Sequence, residues 1–343
     1  FPDMETAVER ILAALQKNEP ILIYGDNDVD GMTAAALLTE FFRAIGAKVY
    51  VDIPNRTTLK KSLIGDALQI ALKNQCKLMI TVDCGITAAR EIQEVVEHGI
   101  DVIVTDHHEP TSKIPHCIAT LNPKLINSTY PNRELTGVGV AFKLAHAVTN
   151  ALIEQEKISP TKIDLKNYLD LVALGTIADM GSLRGENRVL VRYGLKQLRK
   201  LRRIGLAKLF QVSDLRPHEI TPADIASKIA PRLNSLGRIA EPIKGVELLL
   251  IRDSHEAERL ARELDLYNLE RQKIEKEIAE DIESIIYQHP EILKEKAIVL
   301  HSDKWHPGII AILSARIAKQ YFSSKDQLLT LGFNSVPDAK LWA

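Results

Sequence analysis

Cysteine is scarce in this chain: three occur in 343 residues, at Cys76, Cys84 and Cys117, and none forms a C-x-x-C pair. That spacing supplies neither a disulfide framework nor a zinc cage, so reduced thiols in a cytoplasmic protein are the expectation. Excess charge of either sign is also missing. A net charge of −1 points neither toward nor away from nucleic acid. One locally basic stretch, 196–208 (Lys196, Arg199, Lys200, Arg202, Arg203, Lys208), reads first as a solvated helix face, with a phosphate track as the alternative. No apolar run is long enough for a signal peptide or a membrane span. An initiator methionine is absent at Phe1, which suggests a fragment, and 331–343 shows no clear periodicity.

What is present is a globular composition, 45% hydrophobic and 26% charged, over a length that favours two domains. Residues 1–125 alternate apolar runs with amphipathic segments. The pattern predicts helices at 4–16, 33–45, 64–73 and 87–97. Strands are predicted at 21–24, 48–53, 78–82, 102–105 and 117–121. Such βα alternation with short connections implies a parallel, doubly wound sheet. From Gly137 to about Gly205 the spacing becomes helical. Residues 168–180 fit strand or helix by periodicity, and their length favours helix. A run free of Gly and Pro at 254–289 predicts a helix spanning about 50 Å. After it, 297–301 reads as a strand and 308–321 as a helix.

Acids and imidazoles gather at the carboxyl ends of the apolar runs. Asp26, Asp28 and Asp30 follow 21–24, Asp83 follows 78–82, Asp106-His107-His108 follows 102–105, and Asp179 follows 171–178. Ligands of parallel α/β sheets bind at this edge. The start of the first cluster, Asp26-Asn27-Asp28-Val29-Asp30-Gly31, mimics a calcium loop. Leu37 stands where that loop needs its glutamate, and a strand rather than a helix precedes it. In an extended or gently turning segment Asp26, Asp28 and Asp30 project the same way and can converge on one or two cations. Each acid alone would read as a capping residue; four segments ending alike imply one assembled site. Mixed carboxylate and imidazole donors suit Mn²⁺ or Mg²⁺ better than structural zinc. Two such ions roughly 3.5–4 Å apart activate a bridging water and clamp phosphate oxygens, which implies hydrolysis of a phosphoester or phosphoanhydride. Pro54-Asn55-Arg56 and a Gly turn carrying Arg232, Asn234 and Arg238 offer phosphate-matching groups or, equally, ordinary surface pairs.

These residues resemble the DHH phosphoesterase superfamily, whose name is the triplet matched by Asp106-His107-His108. Within it the chain looks like the RecJ family of single-strand-specific 5′→3′ exonucleases. The resemblance is carried by an ordered series at 24–31 (YGDNDVDG), 54–56 (PNR), 81–86 (TVDCGI), 104–108 (VTDHH), 137–143 (GVGVAFK), 174–179 (LGTIAD), 185–189 (GENRV), 232–238, 268–275 (NLERQKIE) and 305–310 (WHPGII). It departs from that pattern at Asn27, where an aromatic residue is usual, and at Lys60-Lys61-Ser62-Leu63, where a Gly-Tyr-Gly-Leu-like loop is usual. A late glycine-rich motif and an oligonucleotide-binding barrel are not found.

The resemblance implies that Asp28, Asp30, Asp83, His107 and Asp179 ligate two metals, with Asp83 bridging and Asp26 a further ligand or a supporting carboxylate. His108 would face the scissile phosphate, so Asp83, His107 and His108 form the implied catalytic set. Arg232, Asn234 and Arg238 would hold the DNA backbone, and Arg56 the 5′ phosphate. Asp106 is a candidate to orient His107 through a hydrogen bond. The implied architecture is an α/β DHH domain with a helical extension (1–253), a long connecting helix (254–290) and a smaller, truncated α/β DHH-associated domain (291–343). A narrow cleft between domains would then exclude duplex. The expected activity is release of 5′-mononucleotides from single-stranded DNA in repair and recombination. A monomer is expected, with single-strand-binding protein and a helicase as partners. Two alternatives stay open: a small-substrate DHH phosphoesterase acting on oligonucleotides, cyclic dinucleotides or pyrophosphate, and an inactive DNA-binding scaffold.

Overall fold

The computed structural model describes residues 1–55, 66–295, 297–321 and 328–332. Two compact units divide the chain, Phe1–Asp265 and Leu266–Ala343. The first opens with α1 (Met4–Gln16), β1 (Ile21–Gly25), α2 (Val29–Ala44), β2 (Val49–Asp52), α3 (Ala67–Lys73), β3 (Leu78–Val82), α4 (Ala89–Glu97), β4 (Asp101–Thr105) and β5 (Ala119–Leu121). All five strands are parallel, in the order β2-β1-β3-β4-β5. Every residue of β1 and β3 is buried, as expected of central strands covered on both faces. Leu22, Tyr24, Met79, Val102 and Val104 pack on Ala67, Leu68 and Ala71 of α3 and on Ile92 and Val95 of α4. Helices α1, α2 and α5 (Gly137–Glu154) pack together on the opposite face. From β1 the chain goes first to β2 on one side and then to β3 on the other. The crevice of this doubly wound sheet therefore opens beyond the carboxyl ends of β1 and β3.

A helical extension follows: α6 (Leu169–Ala178), α7 (Gly185–Leu198), α8 (Ile204–Val212), the single turn α9 (Pro222–Asp224), α10 (Ala230–Ile239) and α11 (Ile243–Leu250). The segment 168–180 is thus α-helical over Leu169–Ala178, as its length predicts. Helix α12 (Ser254–Gln288) runs close to its predicted limits. The second unit holds β6 (Ala297–His301), α13 (Pro307–Tyr321) and β7 (Leu328–Gly332), with β6 and β7 parallel. Its core includes Ile278, Ile282, Ile286, Ile298, Trp305, Ile309 and Leu313. The Trp305 Nε1–H donates to Asp281 at 2.7 Å.

Three local expectations are corrected. The acidic segment is not extended: α2 begins at Val29 rather than 33, because Asp28 caps it by accepting from the Gly31 N–H at 3.1 Å. Residues 232–238 form α10 rather than a glycine turn, since Pro231 sits in the first turn, where its missing N–H costs nothing. The basic stretch 196–208 is a solvated face only in part: Lys196, Arg199, Lys200 and Arg202 are exposed, whereas Arg203 and Lys208 are partly buried. Arg199 donates to Ile220 O, Arg202 pairs with Asn167, Arg203 with Asp170, and Lys208 with Glu258.

Candidate metal centre

Register explains why the acids meet. Gly25, Val82 and Thr105 stand side by side across β1, β3 and β4, and the next residue along each is an aspartate. Their backbones prolong the ladder by one step. The Asp26 N–H donates to Val82 O at 3.2 Å, Asp83 to Thr105 O at 2.9 Å and Asp106 to Leu121 O at 3.0 Å. Asp26, Asp83 and Asp106 therefore leave the sheet edge in one row. Asp83 then turns at φ +60°, a left-handed conformation that aspartate adopts more readily than most residues.

The helices bring the rest. Asp30, 1% exposed in the first turn of α2, accepts from the Gly137 and Val138 N–H groups at the start of α5, at 2.6 and 2.9 Å. Those are donors that a helix N-terminus leaves without internal partners. Glycine is required at 137, because a Cβ there would stand 2.5 Å from Asp83 Oδ1. Asp179 follows α6 as its C-cap. Three donor groups result: Asp26, Asp28 and Asp83; Asp30, His107 and Asp179; and Asp83, His107 and His108. Within each, the ligand atoms lie within 4.8 Å of one another. Asp83 and His107 each belong to two of them.

Crowded like charges distort titration here. Burial, then neighbouring Asp179 and Asp28, push the Asp30 carboxyl above the usual range. Burial, then Asp30, Asp28, Asp26 and Asp106, do the same to Asp83. Asp179 is raised to about 6 by burial and Asp28. His107 is lowered to about 4 by burial and by His108, which keeps its imidazole neutral and able to ligate at neutral pH. Its Nε2 lies 3.0 Å from Asp83 Oδ1, and both atoms are buried without a hydrogen-bond partner. Two facing ligand atoms, each lacking a partner, in an acid-rich pocket fit a divalent cation.

Asp106 has a different task from the one expected. Its Oδ1 accepts from the backbone N–H groups of His107 and His108 at 2.7 and 3.1 Å, and from the His108 ring Nδ1 at 2.8 Å. Its Oδ2 accepts from the Ile86 N–H at 2.9 Å. Asp106 therefore orients His108 rather than the His107 ring. That hydrogen bond raises His108 to about 9, so a half-exposed imidazolium stands beside the neutral His107.

The remaining candidates divide. Asn234 Oδ1 accepts from the Val29 N–H at 3.0 Å, which ties α10 to the acidic loop. Arg232 is engaged by Asp265 at 2.8 Å and by Lys228 O at 2.6 Å. Asn27 donates to Gly237 O at 3.1 Å. Arg238 lies partly buried near the end of α10. Arg56 and 60–63 lie outside the described residues. Lys124 was missed by the reading of the sequence. Its charge lowers the Asp179 and His107 values, and its Nζ pairs with the exposed Glu109 at 3.1 Å. The signal was available: Asn122-Pro123-Lys124 follows β5 just as the other candidates follow their strands.

Residues 20–176 match the DHH family, N-terminal domain. The chain is 37% identical over 319 residues to the single-stranded-DNA-specific exonuclease RecJ of Bacillus subtilis, covering 93% of this chain and 39% of that protein. It therefore spans about two-fifths of that relative's length. A crystal structure of exonuclease RecJ bound to manganese superposes with a TM-score of 0.82 at 33% identity, covering 96% of this chain and 80% of that one. The Mn²⁺ complex of RecJ from Thermus thermophilus gives 0.79 at 33% identity, covering 96% of this chain and 46% of that one.

Proposed function

The chain belongs to the RecJ family of DHH proteins, and from that footing we propose that it hydrolyses phosphodiester bonds of single-stranded DNA from the 5′ end, releasing 5′-mononucleotides. One observation carries the chemistry: buried Asp83 Oδ1 and His107 Nε2 face each other without partners inside a ring of raised carboxylates. Asp28, Asp30, Asp83, His107 and Asp179 would hold two divalent cations, Mn²⁺ or Mg²⁺, with Asp83 common to both and Asp26 at the margin. Such ions, when bound, supply Lewis-acid activation of water and neutralise phosphate charge.

The chain's own groups do the rest. Asp30 is fixed by two α5 N–H groups and so presents its oxygens without reorganisation. His108, held as a cation by Asp106, offers charge to the scissile phosphate and a proton to the leaving oxygen. Lys124 adds a second positive group on the same side of the sheet. Arg238, with Arg56, is assigned to the DNA backbone and the 5′ phosphate. Asn234 would fill that role through its Nδ2 while its Oδ1 stays on the Val29 N–H, and Arg232 through the N–H groups that Asp265 and Lys228 leave over.

In this reading 1–253 is the DHH domain, 254–290 the connecting helix and 291–343 the start of a DHH-associated domain. The protein would act as a cytoplasmic monomer alongside single-strand-binding protein and a helicase, in DNA repair and recombination. The test compares long 5′-phosphorylated single strands with duplex DNA and dinucleotides in Mn²⁺. Mononucleotide release from the single strands supports the proposal. Activity confined to dinucleotides would replace it with a small-substrate phosphoesterase.

A further inference from the structure

Helices α2 and α6 run antiparallel, and contacts at both ends fix how far one has slid along the other. At the metal end a Cβ on Gly175 would collide with Thr33 Oγ1 and stand 2.7 Å from Asp30 Oδ1. At the far end Phe41 meets the edge of the Tyr168 ring, with centroids 6.4 Å apart. There Arg203, the residue before α8, grips both helices. Its Nε donates to Asp170 Oδ2 at 2.8 Å, and a terminal nitrogen lies 2.7 Å from Glu40 Oε2. The Arg203 and Asp170 side chains are only 10% and 6% exposed. Asp30 to Glu40 is about 15 Å of helix and Asp170 to Asp179 about 14 Å, at 1.5 Å per residue. The ion-paired end and the acidic end are thus two ends of one ladder.

We propose that Arg203 is a positioning residue for the metal centre: by clamping Glu40 and Asp170 it sets the α2–α6 register that places Asp30 and Asp179 against the same ion. The inference rests on the metal-centre reading above. A slip of one turn would carry Asp30 about 5.4 Å along the axis, beyond reach of a shared cation. Arginine suits the task because its planar fork addresses two acceptors at a fixed angle, which a lysine ammonium does not. The clamp also lines a cavity of about 300 Å³ shared with Lys162, Asn167 and Arg202, which leaves room for a free guanidinium.

The experiment is Mn²⁺ calorimetry on the whole chain, comparing wild type with Arg203→Ala, Arg203→Lys and the control Leu209→Ala, buried in α8. Arg203→Ala is expected to weaken Mn²⁺ binding about tenfold, the lower end for groups that support metal ligands. Millimolar methylguanidinium should restore most of that affinity. Arg203→Lys should lie between wild type and Arg203→Ala, and Leu209→Ala should lower the Tm while leaving Mn²⁺ affinity unchanged. If Arg203→Ala does not fold, Glu40→Gln removes one arm of the clamp and should weaken Mn²⁺ binding severalfold. Unchanged affinity in a folded clamp variant, loss that methylguanidinium does not restore, or equal loss in Leu209→Ala overturns the inference and leaves the metal centre intact. A wild-type chain that binds no Mn²⁺ overturns both.

Discussion

Two buried charge clusters sit at opposite ends of the α2–α6 pair, and they are built on opposite principles. At the far end Asp170 and Glu40 surround Arg203, and each charge meets its opposite. At the sheet edge Asp26, Asp28, Asp30, Asp83 and Asp179 converge on a histidine that burial and His108 keep neutral. The first cluster carries its own counter-charge as folded, although burial still raises Asp170. The second is electrostatically unfinished: burial beside like charges holds Asp30, Asp83 and Asp179 above the usual carboxylate range instead of stabilising the fold. A fold retains such a cluster where a cation completes it.

The comparison yields opposite responses to mutation. The largest effect is expected from Asp83→Ala, which should lower the proposed nuclease activity more than about 10⁴-fold, over 5 kcal/mol of transition-state stabilisation. The metal-free protein should nonetheless melt close to wild type, since removal of a buried like charge offsets the strain of alanine at φ +60°; calorimetric melting with and without Mn²⁺ separates the two effects. At the other cluster Arg203→Ala should cost about 3–5 kcal/mol in urea denaturation, because it leaves buried Asp170 unpaired. Equal stability losses at both clusters would erase the distinction.

A smaller effect is expected at His108, whose charge is paired with Asp106 beside the acidic cluster. His108→Ala should lower kcat about 100-fold, or ~2.7 kcal/mol, with Mn²⁺ affinity nearly unchanged. A parallel fall in metal affinity would make His108 a ligand rather than a phosphate partner.

The smallest effect is that of pH. Asp179 is raised to about 6, and Asp30 and Asp83 are raised with it. A carboxyl raised above its unfolded value contributes stability that is present at low pH and lost as pH climbs through the folded value. In the metal-free chain the three acids should therefore lose their contribution as pH rises from 4 through about 6, outweighing the single opposite slope of His107, whose lowered value favours the fold over the same range. Mn²⁺ binding should strengthen over the upper part of that window, by about 1.4 kcal/mol per pH unit for each proton displaced. Urea midpoints and Mn²⁺ titrations at pH 5, 6 and 7 read both slopes. Parallel slopes would mean that the acids do not hold the ion.

The legibility of the molecule follows the same division. The sheet edge could be read because each candidate ligand follows an apolar run, so position along the chain gives position in space. Asp26, Asp83 and Asp106 are adjacent only because β1, β3 and β4 share a register, and a parallel sheet makes that expectation natural. The clamp was not legible. Glu40, Asp170 and Arg203 are distant in sequence, each has an ordinary surface reading, and no periodicity links them. Helix α10 was misread because Pro231 and Gly237 look like breakers. In the fold Pro231 occupies the first turn, and Gly237 packs against Asn27. Asp106 was assigned to the wrong histidine because neighbours in sequence do not reveal which ring turns back; the 2.8 Å contact belongs to His108.

The central claim is that the sheet-edge cluster is completed by cations shared through Asp83. Crystals soaked in Mn²⁺, with the anomalous signal collected at the manganese edge, test it most directly. Two peaks roughly 3.5–4 Å apart are expected, one among Asp26, Asp28 and Asp83 and the other among Asp30, His107 and Asp179, with Asp83 touching both. No anomalous peak among these residues, or manganese bound only elsewhere on the surface, would contradict the account.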